Sequence, residues 1–372
     1  MKSFLLPLAI PLMLLTAYVN SHPEKPQKST TLTTISGKEL SIDSLDKFLI
    51  HTMDSLEIPG LSIAIINDNR IVYHRALGVS DLERGTPMTD HTIFEAASLS
   101  KPLFAYFVMK MVEEGVLDLD EPYYPYLESI MPENIYEMVD STSLEFYKSI
   151  TPRMTLSHAT GIPNWMHGKP IQVQFKPGTG FSYSGEAYQH LGAALGLRLV
   201  DSWDYRLDSI IQQKVCLPLG MKNSFYVWND QLEEYKANGH KQGTVNREIH
   251  RDKKVGPGYS LHSEAHDYAL FLMEMMEPKN LGQEYIDEML REQNKFKADN
   301  ELLQYGQTGW GLGFARRPTE YGMRYMHTGN NHDFQSYCAF YPEKKYGLVF
   351  FMNCDRIEPF FDVLGQIMDD RF

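Results

Sequence analysis

The chain has 372 residues, of which 43% are hydrophobic and 12% aromatic, enough apolar material for one large domain or two joined domains. Its formal net charge at pH 7 is -13. Proteins that track nucleic-acid phosphates or adsorb to anionic lipid need a basic face, so the charge argues against both classes and no nucleic-acid partner is expected. Neutral and cationic substrates are compatible with this charge.

The N-terminal stretch MKSFLLPLAIPLMLLTAYVNSH has one lysine followed by an apolar run that is short for a membrane span. The pattern predicts a signal peptide over residues 1–21, cut before His22, with an uncleaved membrane anchor as the alternative. Residues 22–40 are polar and contain Pro and Thr, which predicts a linker. No later segment has about 18 uncharged apolar residues, so we expect a secreted or periplasmic chain with no stable membrane span after cleavage.

The predicted elements begin with a helix and a hairpin. SIDSLDKFLIHTMDSL has apolar residues at helical spacing, and LSIAIIN and RIVYHRALG are β-branched runs joined by the turn dipeptide Asp68-Asn69. Helices are then predicted for EAYQHLGAALGLRLV, YRLDSIIQQKVCL and HSEAHDYALFLMEMM. GWGLGFARR, GMRYMHTG, FQSYCAFYP and YGLVFFMN predict strands, and a last helix begins near Ile357.

Strands at both ends of the chain around a helical middle predict an α/β fold of the α+β type. We expect an antiparallel β-sheet built from both chain ends and flanked by helices, with an inserted all-helical subdomain over about residues 99–280. The domain should occupy residues 41–372.

Ser98 and Lys101 stand three residues apart where a helix should begin, since Pro102 cannot donate to the carbonyl of Ser98. A serine that only caps a helix would favour Glu or Gln at the third position, and lysine has the wrong sign for that end. A lysine among apolar neighbours should have a lowered pKa, and its neutral amine can take the hydroxyl proton. Ser98 is therefore a candidate nucleophile and Lys101 its candidate base.

The same spacing occurs at Ser44 and Lys47, where apolar periodicity explains the segment as an ordinary packing helix with Ser44 as a candidate cap. Chance alone produces such a pair about once or twice in a chain of this size. The pair at Ser98 therefore needs partners elsewhere in the chain.

Tyr183 is the first candidate partner, because it lies between a Pro-Gly turn and the helix opened by Glu186. A phenol beside a lysine can relay a proton between a serine oxygen and a leaving group. The alternative is a packing role, since the chain has 22 tyrosines.

A strand that ends in His327, Thr328 and Gly329 and turns through Asn330 is the second candidate partner. Gly329 lets backbone approach a ligand closely. If this edge faces Ser98, the backbone N–H groups of Asn330 and Ser98 can together hold a developing oxyanion.

A metal site is the competing interpretation of His262 and His266, which are four residues apart with Glu264 between them. Zinc chemistry needs a third ligand and a water, and the order differs from His-Glu-x-x-His. Ser263 with Asp267 instead suits a helix start. We expect neither a metal nor an organic cofactor.

The order of these motifs resembles that of the penicillin-recognising serine hydrolases, the group of class C β-lactamases, D-alanyl-D-alanine carboxypeptidases and related esterases. The landmarks run from about Ile42 to the C-terminus and are SLSKP, EEGVLDLDEP, ITPRMTLSHATGIPNW, PGTGFSYSGEAY, LPLGMKNSFY, GYSLHSEAHDYALF, MHTGNNHDF and YGLVFFMNCD. The resemblance implies Ser98 as the acylated nucleophile, Lys101 as its base partner and Tyr183 as the proton relay. It also implies the backbone amides of Ser98 and Asn330 as the oxyanion hole.

Two positions depart from the family pattern. Relatives carry Tyr-x-Asn, whose amide helps to position lysine and substrate, whereas this chain has Gly185 there. Glu186 offers a carboxylate at the next position, although a helix N-terminus also favours an acid for electrostatic reasons. His327 stands where β-lactam enzymes carry a lysine that holds a substrate carboxylate, which implies poor β-lactam recognition. Substrate contacts are expected from His327, Thr328, Gly329 and Gly185.

The sequence thus predicts a secreted or periplasmic serine hydrolase that forms an acyl-enzyme on Ser98 with an ester or amide of a small or peptidic substrate. One alternative is a non-catalytic ligand-binding protein on the same scaffold, which Gly185 favours. Another is a true β-lactamase or D-Ala-D-Ala carboxypeptidase. No oligomeric state is predicted.

Overall fold

The computed structural model describes residues 30–128, 138–202 and 204–370. Its strands are β1 (Thr31–Thr33), β2 (Glu39–Ser41), β3 (Gly60–Asn67), β4 (Arg70–Asp81), β5 (Thr86–Pro87), β6 (Phe94–Glu95), β7 (Gly239–Lys241), β8 (Thr244–Asn246), β9 (His262–Ser263), β10 (Asn294–Lys295), β11 (Gly309–Trp310), β12 (Ala315–Thr319), β13 (Gly322–Asn330), β14 (Gln335–Tyr341) and β15 (Tyr346–Met352). Its α-helices are α1 (Ile42–Ser55), α2 (Ser100–Glu113), α3 (Tyr124–Leu127), α4 (Leu144–Lys148), α5 (Pro152–Leu156), α6 (Gly185–Val200), α7 (Tyr205–Ile211), α8 (Leu217–Leu219), α9 (Asp230–Tyr235), α10 (Ala265–Met276), α11 (Gln283–Leu290) and α12 (Ile357–Met368).

The central sheet contains, within the described ranges, nine strands in the order β10-β11-β12-β13-β14-β15-β3-β4-β5. Each neighbouring pair is antiparallel. β3 comes from the N-terminal part of the chain and pairs with β15 from the C-terminal part, Ile65 opposite Leu348. The prediction of one antiparallel sheet built from both chain ends is therefore confirmed.

Helices cover both faces of the sheet, and β3 shows why its sequence is almost continuously apolar. Ile63 and Ile65 point to one face, where they join the core formed with α1 and α12. Ala64 and Ile66 point to the other face, in the core that contains α2, α6 and α10. A strand buried on both faces has no polar alternation, because successive side chains enter different cores.

The β3–β4 hairpin forms at the dipeptide predicted for it. Asp68 and Asn69 both have positive φ, 48° and 55°, which is the backbone of a two-residue turn that matches the twist of its strands. The hairpin brings β4 beside β3 at the edge of the sheet formed by the N-terminal part of the chain.

The linker predicted over residues 22–40 does not extend to Leu40. β1 pairs with β2, and Leu32 and Ile35 are buried in the core under α1. The Ser36 hydroxyl donates to Asp369 at 2.7 Å, which ties this segment to the end of α12. The strand pairing, the buried apolar side chains and this hydrogen bond together hold the segment against the domain. The predicted signal peptide, residues 1–21, lies outside the described residues.

The insertion predicted as all-helical over about residues 99–280 also contains strands, which corrects that expectation. Gln242 and Gly243 have φ of 50° and 77° and form a tight turn, so β7 and β8 pair as a small hairpin. Ser44, expected as a candidate cap, lies inside α1, whose N-cap residue is Ser41. Among the described helices, none has the length and apolar character needed to cross a bilayer.

Candidate active site

Ser98 lies in a 3-10 turn, Ala97–Leu99, that leads directly into α2. Ala97 has a φ of 50°, a left-handed conformation that costs a non-glycine residue about 1–3 kcal/mol and is found at functional sites. Ala97 and Leu99 are buried, whereas Ser98 is half-buried. The turn therefore presents this serine, and neither of its neighbours, to the solvent side.

Lys101 is carried into the protein interior by α2, which is buried from Ser100 to Met109. Its amine donates hydrogen bonds to the Ser98 Oγ atom at 3.0 Å and to the Gly258 carbonyl at 2.7 Å. Burial lowers the pKa of Lys101 to about 7, because desolvation disfavours the charged ammonium. A substantial fraction of this amine is therefore neutral near pH 7 and able to accept a proton.

Tyr183 completes the group that the structure brings together. The Lys101 Nζ atom lies 4.8 Å from its ring centroid, and Ser98 is close enough to its hydroxyl to affect the pKa of the phenol. Burial raises the pKa of Tyr183 above its ordinary value, while the nearby Ser98 side chain opposes the shift. The phenol is therefore protonated at neutral pH and can act as a proton donor.

His158 supports the tyrosine from behind. The ring centroids of His158 and Tyr183 are 4.3 Å apart, and the Ser184 N–H donates to the His158 Nδ1 atom at 3.0 Å. Desolvation lowers the pKa of His158, and the nearby Lys101 adds to the effect. The imidazole is thus neutral, and it fixes the backbone that carries Tyr183.

Gly329 allows β13 to approach the segment that precedes the reactive turn. A Cβ atom at residue 329 would lie 2.1 Å from the Ser336 Oγ atom and 2.4 Å from the Ala96 carbonyl oxygen. Only glycine fits this approach without a shift of the backbone. Thr328 and Asn330 are exposed on the same strand. The predicted edge therefore does pack beside the serine turn.

His327 occupies a different environment from the one expected of a residue that contacts a substrate carboxylate. It is 3% exposed, its Nδ1 atom donates to the Thr328 carbonyl at 2.7 Å, and its ring lies 5.6 Å from the Trp310 ring. Burial lowers the pKa of His327 to about 3, and Lys101 adds to the shift. The side chain is therefore neutral and offers no charge to a carboxylate.

Trp165 fills the space that a side chain at residue 185 would need. A Cβ atom on Gly185 would lie 2.4 Å from the indole ring. The Gly185 N–H donates to the Asn164 Oδ1 atom at 2.8 Å, and the Glu186 carboxylate accepts the Met166 N–H at 3.1 Å. Both neighbours of the tryptophan are thus bonded to the first turn of α6, so Glu186 is a residue that fixes this loop.

Gly258 provides the second acceptor of the Lys101 amine and packs against the same tryptophan. A Cβ atom on Gly258 would lie 3.1 Å from the Gly185 carbonyl oxygen and 3.2 Å from the Trp165 ring. The next residue, Tyr259, packs on Trp165 with ring centroids 5.9 Å apart. The sequence predicts neither the Gly258 carbonyl nor Trp165 as part of the site. Trp165 stands in the GIPNW landmark, but a backbone carbonyl has no sequence signal, because every residue has one.

Two cavities are lined by residues that belong to this group or pack beside it. The first, called the wide cavity, has a volume of about 790 Å³, and its lining includes Glu95, Trp165, Asp252, Tyr259, Asn330 and Asp333. The second, called the narrow cavity, has a volume of about 540 Å³, and its lining includes Phe181, Tyr183, Leu302, Trp310, Met326 and Thr328. Tyr183 thus lines the narrow cavity, whereas Trp165 and Asn330 line the wide one.

The histidines considered as metal ligands do not share one helix, since His262 lies in β9 and His266 in α10. Potential ligand atoms of Glu264, His266 and Asp267 lie within 4.8 Å of one another. The Glu264 carboxylate, however, accepts the N–H groups of His266 at 2.6 Å and Asp267 at 2.9 Å. Glu264, and not Ser263, therefore caps α10. This capping explains why the side chains of Glu264, His266 and Asp267 lie close together.

Comparisons with known proteins agree with the fold. The Beta-lactamase family model matches residues 45–369. The chain is 22% identical over 366 residues to a β-lactamase of Yersinia enterocolitica, covering 86% of this chain and 89% of that one. It is 26% identical over 204 residues to esterase EstB of Burkholderia gladioli, covering 49% of this chain and 51% of the esterase.

A solved structure of D-alanine carboxypeptidase AmpC from Burkholderia cenocepacia superposes with a TM-score of 0.69 at 20% identity. The superposition covers 87% of this chain and 98% of that one, so the two proteins share the fold over nearly their whole length. The chain belongs to the Beta-lactamase family of serine hydrolases.

Proposed function

We propose that the protein forms an acyl-enzyme on Ser98 with an ester or amide of a small or peptidic substrate and then hydrolyses it. The observation that carries this proposal is the 3.0 Å hydrogen bond between the Lys101 Nζ atom and the Ser98 Oγ atom. Burial lowers the pKa of Lys101 to about 7, so a base stands beside the hydroxyl at neutral pH. A serine with such a neighbour is an activated nucleophile.

In the acylation step, the Ser98 oxygen attacks the substrate carbonyl carbon while its proton passes to the Lys101 amine. A C–O bond forms and the carbonyl oxygen takes a negative charge. We assign the backbone N–H groups of Ser98 and Asn330 as donors to this oxygen, and such a donor typically contributes about 3 kcal/mol. The close approach at Gly329 supports the assignment, because it brings the strand of Asn330 against the serine turn.

Collapse of this intermediate breaks the bond between the carbonyl carbon and the leaving group. Tyr183 donates the proton that the leaving group needs, and the proton held by Lys101 restores the phenol. The short distance of 4.8 Å between the Lys101 Nζ atom and the Tyr183 ring centroid, with Ser98 near the phenol, supports this role. A water molecule then attacks the acyl-enzyme, with the same groups acting in reverse. All of these steps use groups of this chain and water.

The expected substrates are esters and amides that do not require a carboxylate. A carboxylate-binding site needs a charged or multiple-donor partner, and His327 is neutral because burial lowers its pKa to about 3. We therefore propose weak activity on β-lactams, whose carboxylate would find no fixed cation at this position. Thr328 remains an exposed hydroxyl that can contact the substrate.

Labelling with a fluorophosphonate probe tests the proposal against a non-catalytic ligand-binding protein. The native protein should be labelled on Ser98, and Ser98→Ala should lose both labelling and ester hydrolysis. Ser44→Ala is the matched control, because it removes an exposed serine with the same spacing to a lysine. Absence of labelling in a folded native protein would identify a binding protein. Efficient hydrolysis of penicillins would favour a true β-lactamase or carboxypeptidase.

Export is a separate part of the proposal, supported by the lysine and apolar run in residues 1–21. N-terminal sequencing of the protein recovered outside the producing cytoplasm should find His22 as the first residue. Recovery of the protein in the membrane fraction with Met1 intact would indicate the uncleaved anchor instead.

A further inference from the structure

The wide cavity carries an excess of acidic side chains. Its lining has four carboxylates, those of Glu95, Glu248, Asp252 and Asp333, against one lysine, Lys241, and the histidines His250, His262 and His332. Glu95 is paired with Lys236 at 3.0 Å. Among the described residues, the other three carboxylates have no lysine, arginine or histidine nitrogen within 4.0 Å. The cavity therefore holds negative charge that the chain itself leaves unpaired.

Asp252 and Asp333 are half-buried, and their recorded side-chain partners are neutral donors. The Tyr259 hydroxyl donates to Asp252 at 3.2 Å, and the Asn246 amide donates to Asp333 at 2.9 Å. Burial raises the pKa of Asp252, and the negative charge of Glu95 adds to the shift. A cation in the cavity would stabilise the ionised form of Asp252 against both of these effects.

Two further features of the lining favour a cation that can donate hydrogen bonds. The rings of Trp165 and Tyr259 form an aromatic wall, and aromatic faces attract cations. His262 is 3% exposed, and its Nδ1 atom is bonded to the Ser260 carbonyl at 3.0 Å. Its Nε2 atom has no hydrogen-bond partner in the part of the chain that the structure describes, which makes it an acceptor for an N–H group.

The position of Tyr183 indicates which part of the substrate enters the wide cavity. Tyr183, the proposed proton donor to the leaving group, lines the narrow cavity, whereas Asn330 lines the wide one. The leaving group must lie beside its proton donor. The acyl group consequently extends into the wide cavity.

We infer that the wide cavity binds a positively charged group on the acyl side of the substrate, an ammonium or guanidinium that pairs with Asp252 and Asp333. The preferred substrates are thus esters or amides of cationic acids. This inference rests on the proposed acyl-enzyme chemistry at Ser98, and it adds the charge and the location of the group that is recognised.

Three 4-nitrophenyl esters with the same leaving group test the inference. The cationic ester is that of 6-aminohexanoic acid, the neutral ester is that of heptanoic acid, with a methyl group in place of the ammonium, and the anionic ester is the monoester of heptanedioic acid. We expect kcat/KM to be about tenfold or more higher for the cationic ester than for the neutral one, and lowest for the anionic one. The preference should weaken as salt is added.

Asp252→Asn and Asp333→Asn remove one charge each without changing side-chain size. Each variant should reduce the cationic-to-neutral ratio of kcat/KM by about threefold or more, and the double variant should bring the ratio close to one. Asp43→Asn is the control, because it removes the same charge from an exposed residue of α1 that does not line the wide cavity. The control should leave the ratio unchanged.

The outcomes separate this inference from the proposed function. If the neutral ester is hydrolysed in a Ser98-dependent manner and the cationic-to-neutral ratio is one or below, the inference is wrong and the proposed function stands. A high ratio that Asp43→Asn lowers as much as Asp252→Asn does would also overturn the inference, because it would reflect net charge alone. If no ester is hydrolysed and Ser98 is not labelled, the proposed function itself fails.

Discussion

Trp165 lies so close to Gly185 that a Cβ atom at residue 185 would stand 2.4 Å from the indole ring. Gly258, whose carbonyl accepts a hydrogen bond from Lys101 at 2.7 Å, packs against Gly185 and the same ring. Residue 185 has no amide side chain in this protein. The Trp165 indole occupies the space instead, and the Gly258 carbonyl oxygen accepts the hydrogen bond from Lys101. A larger side chain at residue 185 would displace Trp165 and Gly258, and this displacement would alter the position of the Lys101 amine.

Gly185→Ala should lower both stability and turnover. The indole must move, and overpacking of this kind typically costs about 1–3 kcal/mol. Movement of Trp165 displaces Gly258, so kcat should fall by about tenfold or more because the amine loses its alignment. Thermal melting and ester hydrolysis measure the two effects. Gly180→Ala is the control, since the three atoms nearest to its Cβ atom would all belong to the Phe175 ring, at 3.1–3.2 Å. Full activity of Gly185→Ala would show that the packing does not position Lys101.

Activity should rise with pH through about 7, because the proton of Ser98 can pass only to the neutral form of Lys101 and burial lowers its pKa to about 7. A profile of kcat/KM for a neutral ester between pH 5 and 9 measures this. In Lys101→Met, kcat/KM should fall by several powers of ten, and its pH profile should no longer show an inflection near pH 7. A native profile that is flat over this range would contradict the role of Lys101 as base.

The same lowered pKa predicts how stability depends on pH. The pKa of Lys101 is about 7 in the folded protein and 10.5 in the reference state. Between these values the unfolded chain binds more protons, so the free energy of unfolding contributed by this residue rises with pH from about 7 to about 10.5. Melting temperatures of the native protein, measured relative to Lys101→Met, should therefore increase over that range. A constant difference would show that the amine is not buried.

Tyr183→Phe should reduce kcat by about 10²- to 10⁴-fold, the usual range for a proton-transfer group, and leave the melting temperature nearly unchanged. The phenyl ring keeps its packing against His158, and only the hydroxyl near Ser98 is removed. Tyr305→Phe is the control, because Tyr305 is 59% exposed. Unchanged turnover in Tyr183→Phe would reduce the residue to a packing role.

His327→Lys should destabilise the protein without creating a carboxylate-binding site. The side chain at this position is 3% exposed and Lys101 is nearby, so the new ammonium would be buried beside a second lysine with no acidic partner. Burying an unpaired charge typically costs about 3–5 kcal/mol. His332→Lys makes the same change at an exposed residue and should be neutral. A stable His327→Lys variant with a raised penicillin-to-ester ratio would contradict this account.

Much of the fold could be predicted from local pattern. Alternate side chains of β3 enter two different cores, so the strand requires an unbroken apolar run. The turn at Asp68 and Asn69 requires residues that tolerate positive φ. The spacing of Ser98 and Lys101 also determines their proximity, because residues three apart at a helix start lie on one face. These relationships depend on neighbours along the chain, so the sequence by itself determined them.

Other features depend on contacts between segments that are far apart in the chain, and only the tertiary structure decided them. The partner of Lys101 is a carbonyl from residue 258, its lowered pKa reflects burial by the whole core, and the space at Gly185 is filled by Trp165. The sequence predicts His327 as a substrate contact near a strand end, yet aromatic rings from other segments enclose it. Packing, which places distant groups together and removes water from them, set the chemistry of this site.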